Sequence, residues 1–278
     1  LVEGGVDLLL METIFDTLNV KAALDAAREA FDKVGKKLPI MLSATLADSV
    51  GRMLAGQQIE AFLSSVSHAD LLSVGLNCSF GAEKMYPFLK ELSDIAPYYV
   101  SAYPNAGLPD IMGRYDQTPE KMALQIKRFA DEGIVNIVGG CCGSTPDHIR
   151  AIAQAVSEAN NIRQPKTKAT AWLAGLDPFK TNGAFINVGE RCNVAGSRKF
   201  LRLIKEKCYD DALAIARNQV RQGAMILDLN MDDAMLDTQS EMCHFLNLMA
   251  SDPEVAKVPW MVDSSRFEVI EAALKCIQ

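Results

Sequence analysis

The sequence predicts an α/β fold built on parallel sheets, and three observations carry that reading. Short apolar runs alternate with segments of helical periodicity, without long hairpins, as in a parallel sheet with crossover helices. The polar and unusual residues fall at the carboxyl ends of the apolar runs, where such sheets place their sites. After a polar, basic stretch at 160–182, the same alternation resumes.

The first strand is Val6 to Met11, apolar apart from Asp7, with Glu12 and Thr13 at its end. Asp16 or Thr17 caps a helix whose Val20, Leu24, Ala27 and Phe31 keep helical spacing until Gly35 and Pro39 stop it. Pro39 to Thr45 and Gln57 to Ser67 form the second strand and helix. Leu71 to Asn77 is the third strand, ending at Cys78. Ser79-Phe80-Gly81-Ala82-Glu83 reads as the start of its helix, which carries Met85, Phe88, Leu89 and Leu92. Tyr98 to Ala102 is the fourth strand, and Thr118-Pro119 opens the helix after it. Asn136 to Val138 is the fifth, followed by Gly139-Gly140-Cys141-Cys142-Gly143 and a helix with Thr145 as cap and Pro146 as first residue. Such a succession is compatible with a TIM barrel and with an open doubly wound sheet.

Two adjacent cysteines among three glycines place chemistry at 139–143. On a regular strand their side chains point to opposite faces, so both reach one metal only if the backbone turns sharply between them, which the glycines permit. Two thiolates leave a tetrahedral site incomplete, and Cys78, at another strand end, is the third candidate ligand. Three sulfurs and one open position describe a catalytic zinc. The competing readings are three buried packing cysteines, or a redox-active Cys141-Cys142 pair forming a strained vicinal disulfide.

Gly75-Leu76-Asn77-Cys78 with Gly139-Gly140-Cys141-Cys142-Gly143 resembles the zinc-dependent homocysteine methyltransferase family. The resemblance implies a barrel of which these are the last five units of eight, with Cys78, Cys141 and Cys142 binding zinc and zinc binding the homocysteine sulfur. It also implies that Glu12 contacts the substrate amino group. A helix opening after Cys78 would present N–H groups near Ser79 and Phe80 to the substrate carboxylate.

At 278 residues the chain has room for more than one domain. A net charge of −7 argues against nucleic acid or an anionic membrane as main partner. No apolar stretch is long enough to span a bilayer, and no signal peptide opens the chain. Seven cysteines without a disulfide-framework spacing point to a reducing, cytoplasmic setting. Opening on Leu1 and closing inside the helical pattern Phe267 to Leu274, the chain reads as a fragment. The expected domains are 1–159 and 183–278, joined by a linker at 160–182 in which Trp172, Leu173, Leu176 and Phe179 anchor against one domain.

In the second half, Phe185 to Asn193, Met225 to Leu229 and Pro259 to Val262 read as strands, with a basic segment and then a long amphipathic helix ending at Gly223 between the first two. Glu190, Asn193, Asp228, Asn230 and Asp263 gather near the strand ends, and such groups suit a heterocycle with an amide-like edge. Asp232-Asp233 lack the further oxygens of a cation site. Cys192 adjoins the strand-end cluster, with no activating partner marked in the sequence, and the Cys243-His244 pair, His68 and His148 read as packing or surface residues. The runs Asn187 to Asn193, Asp228-Leu229-Asn230 and Val262-Asp263-Ser264-Ser265 resemble the pterin-binding barrel shared by dihydropteroate synthases and corrinoid methyltransferases. The resemblance implies that Asp228, Asn230 and Asp263 hold the pterin of methyltetrahydrofolate, with Glu190 and Asn193 nearby.

The order of the two halves resembles that of the cobalamin-dependent methionine synthase family: two TIM barrels in tandem, here both truncated. This implies methyl transfer from methyltetrahydrofolate to homocysteine through cobalamin, held on a cobalamin-binding domain of the full-length protein. A cobalamin-independent thiol methyltransferase with a betaine or sulfonium-type donor is the nearest alternative.

Overall fold

The computed structural model describes residues 1–168, 172–181 and 183–278, which form two compact units, Leu1–Ala171 and Trp172–Gln278. Positions 169–171 and 182 of the expected linker lie outside the described residues. The first unit follows a short 3-10 turn with β1 (Leu9–Ile14), α1 (Thr17–Val34), β2 (Ile40–Ala44), α2 (Ile59–Val66), β3 (Ser73–Gly81), α3 (Ala82–Ile95), β4 (Tyr99–Asn105), α4 (Pro119–Asp131), β5 (Ile137–Val138) and α5 (Pro146–Val156). Its strands pair in parallel in the order β1-β2-β3-β4-β5. Each helix packs on the next, α1 on α2 through to α5, so all five cover one face of the sheet. A doubly wound sheet reverses its strand order at a switch point and carries helices on both faces. The sequential order here is consistent with a TIM-barrel-like domain.

Burial explains this arrangement. Every residue of β2 is buried, as its unbroken apolar run predicts. Leu42, Val74, Leu76, Val100 and Ala102 of the sheet and Phe62, Leu89 and Phe129 of the helices are all at 1% exposure or less. β3 and β4 approach closely at Gly75, where a Cβ would lie 2.1 Å from Ser101 Oγ. Asp16, not Thr17, caps α1 by accepting from Leu18 N and Asn19 N.

Part of the expected linker is tied down. Arg163, 4% exposed, donates to Ser93 O (2.8 Å), Ser93 Oγ (2.9 Å), Ala96 O (2.6 Å) and Tyr98 O (2.7 Å), satisfying carbonyls at the end of α3 and the start of β4. Lys166 N adds a bond to Ala96 O at 3.0 Å.

The second unit opens with a small antiparallel pair, β6 (Leu173–Ala174) and β7 (Pro178–Phe179). There follow β8 (Val188–Asn193), α6 (Arg198–Lys205), α7 (Tyr209–Arg221), β9 (Ile226–Asn230), α8 (Thr238–Ala250), α9 (Pro253–Ala256), β10 (Trp260–Asp263) and α10 (Phe267–Leu274). The basic segment before α7 is itself helical, capped by Ser197 Oγ on Phe200 N. β8, β9 and β10 pair in parallel in sequential order. Leu227 and Leu229 of β9 face a core with Phe200, Phe245, Leu246 and Val269. By strand alternation Asp228 and Asn230 lie on the opposite face. Among the described residues, no helix is long and apolar enough to cross a membrane.

Candidate functional sites

In the first unit the unusual residues converge at the carboxyl ends of β1, β3 and β5. Among the described residues four non-glycine residues have positive φ, and three stand here: Thr13 (58°), Cys78 (59°) and Ser79 (61°). Each such conformation costs a residue with a Cβ about 1–2 kcal/mol, which the surrounding contacts must offset. At Cys78 and Ser79 the chain swings out of β3 and rejoins β4 at Gly81, opposite Asn105. The helix expected from Ser79 therefore starts only at Ala82. Ser79 is held otherwise: its Oγ accepts from Leu46 N and bonds Thr45 Oγ1, both at 2.7 Å.

The turn after β5 is fastened to β4. Cys141 N donates to Pro104 O (2.8 Å), Cys142 N to Asn105 Oδ1 (3.1 Å) and Ala106 N to Cys142 O (2.9 Å). The glycines are needed sterically. A Cβ on Gly140 would lie 2.1 Å from Ser144 Oγ, and one on Gly143, at φ 79°, would lie 2.3 Å from Tyr115 Cγ. The result brings three sulfurs together: Cys78 to Cys142 at 3.7 Å, Cys141 to Cys142 at 3.9 Å, and all within 4.8 Å of one another.

That triangle fits zinc. Bonds of about 2.3 Å at tetrahedral angles place sulfurs about 3.8 Å apart, so the three cysteines match three corners and leave the fourth free. Burial pushes the Cys141 thiol up to about 11, against the pull of the Asn77 amide. A cation binding there at neutral pH must displace that proton.

Around the sulfurs, Tyr115 bonds Cys142, and burial, followed by this contact, raises its phenol. Tyr115 sits in the loop between β4 and α4 and gave no signal in the sequence. Glu12 is exposed on β1. It lies close enough to Tyr103 that its charge adds to burial in raising that phenol. Phe80 stacks on Phe88 at 6.2 Å. His148 is buried and structural: its ring bonds Thr145 Oγ1 (2.8 Å) and Gln117 O (2.8 Å), tying the Tyr115 loop to α5.

In the second unit one register row crosses all three strands, pairing Asn193 with Asn230 and Asn230 with Asp263. Asn193 Nδ2 donates to Asp228 Oδ2 at 3.1 Å, and Asn230 Nδ2 to Asp263 Oδ2 at 2.8 Å. Burial raises the Asp228 carboxyl, opposed by the Asn193 amide and reinforced by the charges of Asp263 and Glu190. Glu190 is exposed and lines an open groove of about 420 Å³ with Asn193, Gly189 and Gln219. The structure thus brings Asn193, Asp228, Asn230 and Asp263 together, with Glu190 close by. Asp232, set aside as a cation ligand, accepts from Ser264 Oγ (2.7 Å), Ser265 N (2.6 Å) and Ser265 Oγ (2.8 Å), and so orders the turn after Asp263. Cys192 points into the core, where burial pushes its thiol up to about 12.

Comparison with known proteins gives matches to both halves. The family described as homocysteine S-methyltransferase matches residues 1–156, and that described as pterin binding enzyme matches residues 189–278. Among solved structures, the chain is similar to the homocysteine methyltransferase MmuM from Escherichia coli in its apo form, at 21% identity and a TM-score of 0.41. The similarity covers 55% of this chain and 51% of that one, so the chain spans about half the length of that protein.

Proposed function

Because the chain belongs to the homocysteine S-methyltransferase family over residues 1–156, we propose that it serves the transfer of a methyl group from methyltetrahydrofolate to homocysteine, giving tetrahydrofolate and methionine. The carrying observation is the convergence of Cys78, Cys141 and Cys142 within 4.8 Å at strand ends of one unit. The order of the two matched families supports a methyl donor of the folate class.

In this reading Cys78, Cys141 and Cys142 hold zinc, which lowers the pKa of a thiol bound at the open position and so makes the homocysteine sulfur nucleophilic at neutral pH. Glu12 takes the substrate ammonium. Backbone N–H groups around Ser79 and Phe80 face its carboxylate. On the second unit, Asp228 and Asp263 accept from the ring N–H and amino groups of the pterin, Asn230 and Asn193 supply mixed donors and acceptors, and Glu190 flanks them. The methyl group leaves N5 of the folate, which gains a proton, and the homocysteine thiol loses one. Cobalamin, on a further domain of the full-length protein, is the methyl carrier of this proposal, as in cobalamin-dependent methionine synthases. Thiol ligands require a reducing compartment, and a cytoplasmic setting meets that need.

The test is zinc per folded chain for wild type and Cys141→Ser, with homocysteine and methyltetrahydrofolate titrated calorimetrically. About one zinc per chain, lost in the variant without loss of circular dichroism, together with binding of both substrates, is the expected result. A folded wild type that takes up no zinc overturns the sulfur-site reading. Zinc and homocysteine binding without folate binding overturns the donor.

A further inference from the structure

Asn77 stands directly before Cys78, is 1% exposed, and spends its whole hydrogen-bonding capacity inside the candidate site. Its Oδ1 accepts from Thr13 N at 2.9 Å and from Ser43 Oγ at 2.8 Å. Its Nδ2 donates to Thr13 Oγ1 at 2.9 Å and points its other hydrogen at Cys141 Sγ, 3.9 Å away. One side chain therefore joins β1, β2, its own strand and the turn after β5.

The two bonds to Thr13 have a particular consequence. Thr13 holds φ 58°, a conformation that a β-branched residue resists, and it directly follows Glu12. Asn77 grips both its backbone N–H and its hydroxyl. Released from that grip, Thr13 relaxes toward extended backbone, and the change in φ re-aims the end of β1 with Glu12 on it. The same amide fixes Cys141 and, through the chain, Cys78.

We propose that Asn77 is a positioning residue that sets the distance between the sulfur site and the Glu12 end of β1, and thereby selects the length of the amino-acid thiol the site accepts. The inference rests on the function proposed above. A thiol and an ammonium held at two fixed points discriminate by chain length: cysteine, one methylene shorter than homocysteine, cannot meet both. A single methylene in a fitted site is worth about a 10- to 200-fold preference. Asn77 touches neither end of the substrate, so its removal acts on this ratio and on the surroundings of Cys141.

The test compares wild type, Asn77→Asp and Thr13→Val as the zinc form and the cobalt(II)-substituted form. Affinities for homocysteine and cysteine are measured by calorimetry, and the cobalt–thiolate absorption is recorded in the visible and near ultraviolet. Asn77→Asp keeps acceptors for Thr13 N and Ser43 Oγ, loses both N–H donors and sets a carboxylate against Cys141. Its homocysteine-to-cysteine affinity ratio is expected to fall at least tenfold, and its cobalt–thiolate bands to shift. Thr13→Val keeps the β-branch and loses only the bond to Oγ1, so its ratio falls while its bands stay at the wild-type position. A folded, metal-replete Asn77→Asp with wild-type ratio and bands overturns the proposal. Should that variant not fold, an unchanged ratio in Thr13→Val overturns it alone. A wild type that binds metal but not homocysteine overturns this inference together with the proposed substrate, whereas wild-type binding with indifferent variants removes only the role of Asn77.

Discussion

Replacing Gly143 with Ala, with Gly113→Ala as a matched control, tests whether the glycines beside the cysteines are there for space or only for backbone freedom. The two positions have nearly the same φ, 79° and 74°. They differ in surroundings: a Cβ at 143 would lie 2.3 Å from Tyr115 Cγ and 2.4 Å from Tyr115 Cβ, whereas at 113 nothing lies within 4 Å. Left-handed strain costs both variants about 1–2 kcal/mol. Only Gly143→Ala adds overpacking, and a clash with the Cβ of Tyr115 cannot be relieved by turning its ring, so about 1–3 kcal/mol more is expected. The displacement also passes to Cys142, the neighbouring residue, whose sulfur lies 3.7 Å from that of Cys78. Denaturant unfolding and zinc competition against a chromophoric chelator measure the two effects. Gly113→Ala should lose about 1–2 kcal/mol with zinc affinity unchanged, and Gly143→Ala about 2–5 kcal/mol with zinc bound at least tenfold more weakly. Equal losses and equal zinc affinities in the two variants would refute the steric argument.

Two further predictions concern stability. Arg163→Met removes the donors to Ser93, Ala96 and Tyr98 and leaves carbonyls short of partners in a buried place, although Ala96 O keeps Lys166 N. Allowing for the guanidinium's own desolvation, a loss of about 3 kcal/mol in urea unfolding is expected, and a loss below about 0.5 kcal/mol would show that the clamp is dispensable. For Asp228 the sign follows from a carboxyl raised in the fold, chiefly by burial. Its contribution is fully present below the unfolded value and is lost as pH rises through the raised folded value. Asp228→Asn should therefore gain stability over wild type as pH increases from about 4 to 7, and a gap that stays constant or closes with pH contradicts it.

Much of this was legible because apolar runs and doubled cysteines are strong signals. The alternation of runs gave the order of the parallel strands, since consecutive βα units lie side by side when every crossover has the same hand. The crowding of glycines around Cys141 and Cys142 pointed to a turn, and the structure puts both sulfurs on one side with Cys78. What escaped was local geometry that depends on distant partners. The helix after Cys78 starts late because Ser79 is bound to Thr45 and Leu46, which no local pattern reveals. Asn77 looked like one more polar residue at a strand end, and its four bonds reach residues 34 to 64 positions away. Arg163 looked like part of a solvated basic stretch. Its burial follows from carbonyls at the end of α3 that the sequence does not mark as short of donors.

The joining segment is fixed at the same end of the strands in each unit. On the first unit, Arg163 and Lys166 dock beside Ala96 and Tyr98, at the amino end of β4, whereas the cysteines stand at carboxyl ends. On the second, Leu176 N and Asp177 N bond Ala256 O and Lys257 O, just before β10 begins, and Asp263 lies at that strand's other end. Within each unit the anchor thus lies where a strand enters the sheet, and the candidate site lies where strands leave it. Changes in the joining segment therefore act on where these strands enter their sheets, and they reach the cysteines and the Asn193, Asn230 and Asp263 row only through the full length of a strand.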